Sequence, residues 1–140
     1  MNILKRNESV AGKKILLRVD FDVPITAEGI IEESFRINKQ KGMIDWLVEG
    51  GAEIVMVAHS SQINSFGDFV GRLDAFLNRK INFIKEVKDI EGYLLNYQGP
   101  ALLDNIRRNE GEKLNDPVFA QKLAKGFDLY INNDFAVLHR

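Results

Sequence analysis

The chain has no cysteine. Disulfide cross-links, thiolate nucleophiles and thiolate metal sites are therefore excluded, and the absence fits the expected location, the cytoplasm. Proline is scarce, three in 140 residues, and nothing reads as a proline-rich or otherwise low-complexity linker. No apolar run approaches the roughly 20 residues that a membrane helix needs. The opening segment, Met1 to Ser9, is polar and carries no signal-peptide apolar stretch. No membrane partner is expected. An excess of one charge is missing too. Nineteen Lys and Arg face twenty Asp and Glu, a net charge of -1, which leaves no global basic field for nucleic acid. There is no GxxxxGK[ST] loop, no GxGxxG after a strand, and no His or Cys cluster at metal-ligand spacing. No metal and no cofactor bound by this chain are therefore expected.

What is present reads as one globular domain over residues 1–140, 45% hydrophobic and 28% charged. Short apolar strands alternate with helix-length amphipathic segments. Strands are expected at Lys14–Val19, Glu53–Ala58, Asn82–Ile84, Ala101–Asp104 and Asp128–Asn132. A turn or short hairpin is expected at Glu28 to Ile31. A helix from about Asn38 to Glu49 should bury Ile37, Ile44, Leu47 and Val48 and stop at Gly50-Gly51. Phe66, Phe69, Val70, Leu73, Phe76 and Leu77 give a second helix its apolar stripe. A shorter helix should cover Lys88 to Tyr97. Asp116 reads as an N-cap with Pro117 at the first helical position, opening a helix that turns Phe119 and Leu123 inward and stops at Gly126. Trp46 and the three Met are assigned to the core. The alternation predicts an α/β fold: a three-layer αβα arrangement, mainly parallel and Rossmann-like, with helices on both faces.

In an open parallel sheet, ligands bind beyond the carboxyl ends of the strands. Those ends are followed here by Asp20-Phe21-Asp22-Val23-Pro24, by His59-Ser60-Ser61-Gln62, by Asn105-Ile106-Arg107-Arg108-Asn109 and by Asn132-Asn133-Asp134, with His139-Arg140 closing the chain and Arg36 just before the first helix. Three arginines and two histidines gathered on one rim suit a small, multiply charged anion, because a guanidinium offers a planar fork of donors and stays charged. Each residue also has a plainer reading. A strand-end Asp often closes a turn, a lone loop Arg is often merely solvated, and His59 suits a satisfied, partly buried histidine. Spacing alone gives an α/β domain with a candidate anion site.

The residues themselves say more. Gly12 to Pro24, GKKILLRVDFDVP, resembles the phosphoglycerate kinase signature KxVLxRVDFNVP. In the same register, Ile31 to Ile37 stands where that family has ITDDTRI. Gly50 to His59 resembles GAKVILMSH, and Leu102 to Arg107 resembles LLLENVRF. Glu110 to Glu112 and Asn115 to Ala124 resemble GEEKNDPEFAKKLA, and Tyr130 to Arg140 resembles YVNDAFGTAHR. The six ordered motifs cover nearly the whole chain.

The resemblance implies an enzyme that transfers a phosphoryl group reversibly between 1,3-bisphosphoglycerate and ADP with magnesium, in glycolysis and gluconeogenesis. It implies that this chain is the amino-terminal, 3-phosphoglycerate-binding half, with the ATP- or ADP-binding domain elsewhere, so that these residues alone are inactive. The alternatives are a non-catalytic binding module for a phosphorylated carboxylate, or one half of a split kinase partnered by a separate nucleotide-binding domain. Carried over by motif, Asp20, Arg36, His59, Arg107 and Arg140 would contact phosphoglycerate, with Arg36 also facing the transferring phosphoryl group. Two positions of the same site depart from the pattern. Asp22 stands where Asn is usual, and Gln62 stands where the SHLGRP stretch has its Arg. Both make the expected pocket less positive. Phe35 also replaces a Thr, and Asn133 an Asp.

Overall fold

The computed structural model of the chain describes residues 8–134. Five strands form its sheet: β1 (Lys14–Arg18), β2 (Glu53–Val57), β3 (Asn82–Ile84), β4 (Ala101–Leu103) and β5 (Leu129–Asn132). Every pairing is parallel, and the order across the sheet is β3-β4-β2-β1-β5. The helices are α1 (Phe35–Glu49), α2 (Val70–Leu77), α3 (Ile90–Leu95), α4 (Glu110–Lys113) and α5 (Pro117–Ala124).

The period-2 alternation of the strands sorts side chains onto two faces. Ile15 and Leu17 of β1, Ile54 and Met56 of β2, and Leu102 of β4 pack with Ile37, Ile44 and Leu47 of α1 and with Leu73 and Leu77 of α2. Leu16, Val55, Val57, Ala101 and Leu103 point the other way, onto Ile90 and Leu94 of α3 and Phe119 and Leu123 of α5. The expected three-layer α/β architecture is therefore present, with α1 and α2 on one face and α3 and α5 on the other. The central strands, covered on both sides, are correspondingly apolar almost throughout.

Local chemistry sets the element ends. Asp116 accepts a hydrogen bond from the Val118 N–H at 3.0 Å, with Pro117 opening α5, as the sequence suggested. After α1 the chain reverses at Gly51, whose φ of +84° favours a residue without Cβ. The expected short hairpin is an antiparallel bridge between Ile25 and Ile31.

Some boundaries move. Arg36 lies inside the first turn of α1 rather than before it. Phe66 and Phe69 are buried but precede α2, the rings 5.5 Å apart in a turn anchored elsewhere. The span read as one helix over Lys88 to Tyr97 divides into a 3-10 turn at Val87–Asp89 and α3. Met56 belongs to the core, and Met43 and Trp46 pack partly buried against it. Met1 lies outside the described residues.

Candidate functional site

The strand order places a crevice. The chain leaves β2 toward α2 on one face, and leaves β4, its neighbour in the sheet, toward α5 on the other. Loops diverge between two such strands, and an open α/β sheet accepts ligands at that switch point. An open cleft of about 340 Å³ lies there, walled by Ser60 to Asn64 from the β2 side and by Asn105, Arg107, Arg108 and Lys113 from the β4 side.

Asn105 holds the two walls in register. Its side-chain oxygen accepts the Ser60 and Arg107 N–H groups, both at 3.2 Å, while its Nδ2 donates to the carbonyls of Ser60 and Ile63, both at 2.9 Å. Every polar capacity of this buried amide is used. Asp104, 3% exposed, accepts the N–H groups of Phe66 at 2.7 Å and Asn105 at 2.8 Å and the Ser65 hydroxyl at 3.0 Å, and pairs with Arg108. Ser60 Oγ in turn accepts the N–H groups of Gln62 and Ile63. The loop after β2 is thus a fixed structure.

The β1 loop joins from the other side. The Asp22 carboxylate accepts the Ser61 N–H at 2.9 Å and the Ser61 hydroxyl at 3.0 Å, and lies 3.3 Å from His59 Nε2. Arg36 donates to the Asp22 carbonyl at 3.1 Å and pairs with Asp20 at 3.5 Å, leaving its side chain 51% exposed. Asp20 also accepts the Asp22 N–H, the turn role its position suggested. Arg36, Asp20, Asp22, His59 and Ser61 therefore form one run of contacts. Gln62 Nε2 lies 3.5 Å from Ser61 Oγ, and Gln62 and Arg107 both line the cleft. Arg140 and His139 lie outside the described residues.

His59 is buried, with Nδ1 3.6 Å from Asp134. Burial pushes its pKa below the ordinary 6.5, and the nearby Arg107 adds to that; Asp22 and Asp134 oppose it with smaller effects.

Sequence reasoning passed over a buried ionic group beneath this rim. Arg18, which closes β1 after the apolar run Ile15 to Leu17, pairs with Glu112 at 3.1 Å and approaches Asp134 at 3.8 Å. An arginine inside such a strand is the signal that should have drawn attention, since buried guanidinium groups are almost always paired. Its partner Glu112 sits on α4, in a stretch to which the sequence pattern assigns no element.

Among the described residues, no three or more His, Cys, Asp or Glu side chains stand together as a metal site. No chemistry is assigned to a metal here. Nor is any helix of the described residues long and apolar enough to cross a membrane.

Fold and crevice define the class: an open parallel α/β domain with its ligand-facing loops at the strand carboxyl ends. The statistical description of phosphoglycerate kinase matches residues 5–140, and the chain belongs to that family. It is 34% identical to the phosphoglycerate kinase of Dictyoglomus turgidum and 33% identical to that of Wolinella succinogenes. Each match covers 96% of this chain but 36% of the relative, so the chain spans about a third of their length. The fold superimposes on the crystal structure of phosphoglycerate kinase from Pyrococcus horikoshii with a TM-score of 0.84 and 22% identity, over 96% of this chain and 37% of that one. For the enzyme from Coxiella burnetii the TM-score is 0.79 at 23% identity, over 96% of this chain and 36% of that one.

Proposed function

We propose that these residues supply the phosphoglycerate side of a phosphoglycerate kinase reaction, binding a small phosphorylated carboxylate, 3-phosphoglycerate or a near analogue, at the rim formed by Asp20, Arg36, His59 and Arg107. The carrying observation is Arg36. Its guanidinium is oriented by the Asp20 carboxylate and the Asp22 carbonyl yet remains half exposed. Phosphoryl transfer asks a protein mainly for positioning and for cations placed against the equatorial oxygens, and an arginine fixed in that way supplies both. Arg140 completes the anion site by motif. Magnesium and ATP or ADP belong to the family reaction and are supplied outside the described residues. The 140 residues alone do not turn over ATP with 3-phosphoglycerate, because the second reactant has no place to be held against the first. The protein works in the cytoplasm, without nucleic-acid or membrane partners.

A second reading, a binding module without catalysis, is favoured by Asp22 and Gln62, which make the rim less positive than the family pattern. Calorimetric titration with 3-phosphoglycerate at low salt tests the first reading. Binding that weakens about tenfold in Arg36→Ala supports it. A phosphorylated carboxylate held no more tightly than inorganic phosphate overturns it.

A further inference from the structure

We propose that Arg108, assisted by Lys113, holds the phosphate group of the ligand in the cleft between the β2 and β4 loops, taking over the role of a cation at position 62. The proposal rests on the anion-binding reading above and assigns two residues that the motif resemblance does not.

Gln62 and Arg108 line the same cleft. In the motifs quoted above, position 62 carries Arg, and the residue after Arg107 is Phe. The chain has the opposite arrangement, a neutral amide at 62 and a guanidinium at 108. The cleft has therefore kept a guanidinium and moved it to the other wall.

The geometry fits that task. The Arg108 guanidinium is anchored by one nitrogen, Nη1, on the buried Asp104 carboxylate, while its side chain stays 51% exposed. A guanidinium has five N–H donors, so one anchored nitrogen fixes its plane and leaves most of the fork free for phosphate oxygens. Asp104 does not depend on Arg108 alone, since it also accepts from Phe66, Ser65 and Asn105. Arg107, beside it, forms no ion pair or hydrogen bond through its guanidinium with any described residue, so its charge is not neutralised locally. Among the described residues, Lys113 is paired only with exposed Glu110 at 3.4 Å, a contact weak enough to yield to a dianion. The Gln62 amide on the other wall of the cleft is a neutral group suited to the ligand's hydroxyl or carboxylate, while the Ser61 hydroxyl is committed to Asp22.

The test is titration of the 140-residue protein at low salt with inorganic phosphate, 3-phosphoglycerate and glycerate, read by calorimetry. Variants are Arg108→Gln, Arg108→Lys, Lys113→Gln and Arg36→Ala, with thermal unfolding as the folding control. Arg108→Gln is expected to weaken phosphate binding about tenfold. Arg108→Lys, which keeps the charge against Asp104 but not the fork, should recover only part of it. Lys113→Gln, an exposed change that leaves folding alone, should weaken binding by a factor of about two to three. Arg36→Ala should weaken 3-phosphoglycerate while sparing inorganic phosphate. Phosphate binding unchanged in both Arg108→Gln and Lys113→Gln, yet weakened in Arg36→Ala, overturns this assignment and leaves the proposed function standing. Phosphate binding that follows Arg108, with 3-phosphoglycerate no tighter than phosphate, supports this cleft and overturns the proposed function. No binding of phosphate by the folded protein overturns the assignment outright.

Discussion

The Asp22 carboxylate takes two hydrogen bonds from Ser61, one from its N–H at 2.9 Å and one from its hydroxyl at 3.0 Å. By charge alone, Asp22 reads as a repulsive group beside an anionic ligand. In the structure its oxygens are turned to Ser61 and His59, and it fastens the β1 loop to the β2 loop. Its negative charge is still in the rim, but it is spread over donors that belong to the protein.

Asp22→Asn should consequently have two opposed effects. Removing the charge strengthens 3-phosphoglycerate binding by a fewfold, and losing charge-assisted acceptance from Ser61 costs about 1 kcal/mol of stability. Gln62→Arg, which breaks no contact between the two loops, should strengthen binding about tenfold with stability unchanged. Calorimetry beside urea unfolding separates the two quantities. A more stable Asp22→Asn protein would contradict the fastening role.

Asn105→Ala should be among the most damaging single changes to the site. It removes an amide that makes four hydrogen bonds, three of them across the crevice to Ser60 and Ile63, and strands buried backbone groups of those two residues. At about 1 kcal/mol for each of the four lost bonds, the loss is about 4 kcal/mol. Asn105→Asp should also destabilise, because it turns the two donated bonds into oxygen–oxygen contacts. Urea midpoints measure both, and a variant within about 0.5 kcal/mol of the parent would show that water replaces the clasp.

Arg18→Met tests the buried ionic group. The guanidinium is shared between Glu112 at 3.1 Å and Asp134 at 3.8 Å, and all three side chains are nearly inaccessible. Taking away the cation removes a partner that two buried carboxylates share, which should destabilise the fold by up to about 3–5 kcal/mol. A protein that unfolds at the parent's urea midpoint would show that this cation is dispensable. Replacing Arg18 and Glu112 together by apolar residues should recover part of the loss.

Contacts close in sequence were legible, and contacts distant in sequence were not. The strands stood out because sheets covered on both faces need continuous apolar runs, and α5 because Asp116 and Pro117 mark its start within two residues. The motifs named Asp20, Arg36, His59 and Arg107; the first three meet at Asp22, and Arg107 lines the neighbouring cleft. What was missed depends on partners far along the chain. Ser61 is 39 residues from Asp22, and Glu112 is 94 from Arg18. The four-residue helix α4 is too short for a periodicity to show. It is held by tertiary contacts, Phe119 packed on Gly111 and Glu112 paired with Arg18. The 3-10 turn before α3 breaks a pattern that reads as one helix by hydrophobic spacing alone.

The last prediction concerns pH. His59 is buried with its pKa pushed below 6.5, first by burial and then by Arg107. Its folded form therefore binds a proton less readily than the unfolded chain does. Between the depressed folded value and 6.5 the unfolded state holds more protons, so stability rises with pH across that window. His59's contribution is complete above about pH 6.5 and is lost as pH falls through the folded value. Asp45 behaves differently. The hydrogen bond from Lys41 holds its pKa below 3.8, so its contribution persists above that value and is lost only in stronger acid. The two windows do not overlap, and a fall in stability between about pH 6.5 and pH 5 can be assigned to histidine. Urea unfolding across that range should show the parent weakening toward acid and His59→Asn showing a flatter dependence. His139, the second histidine in the sequence, is present in both proteins and cancels in the comparison. A parent whose stability instead grows toward pH 5 would mean that Asp22 and Asp134, at 3.3 and 3.6 Å from the ring nitrogens, outweigh burial and keep His59 protonated.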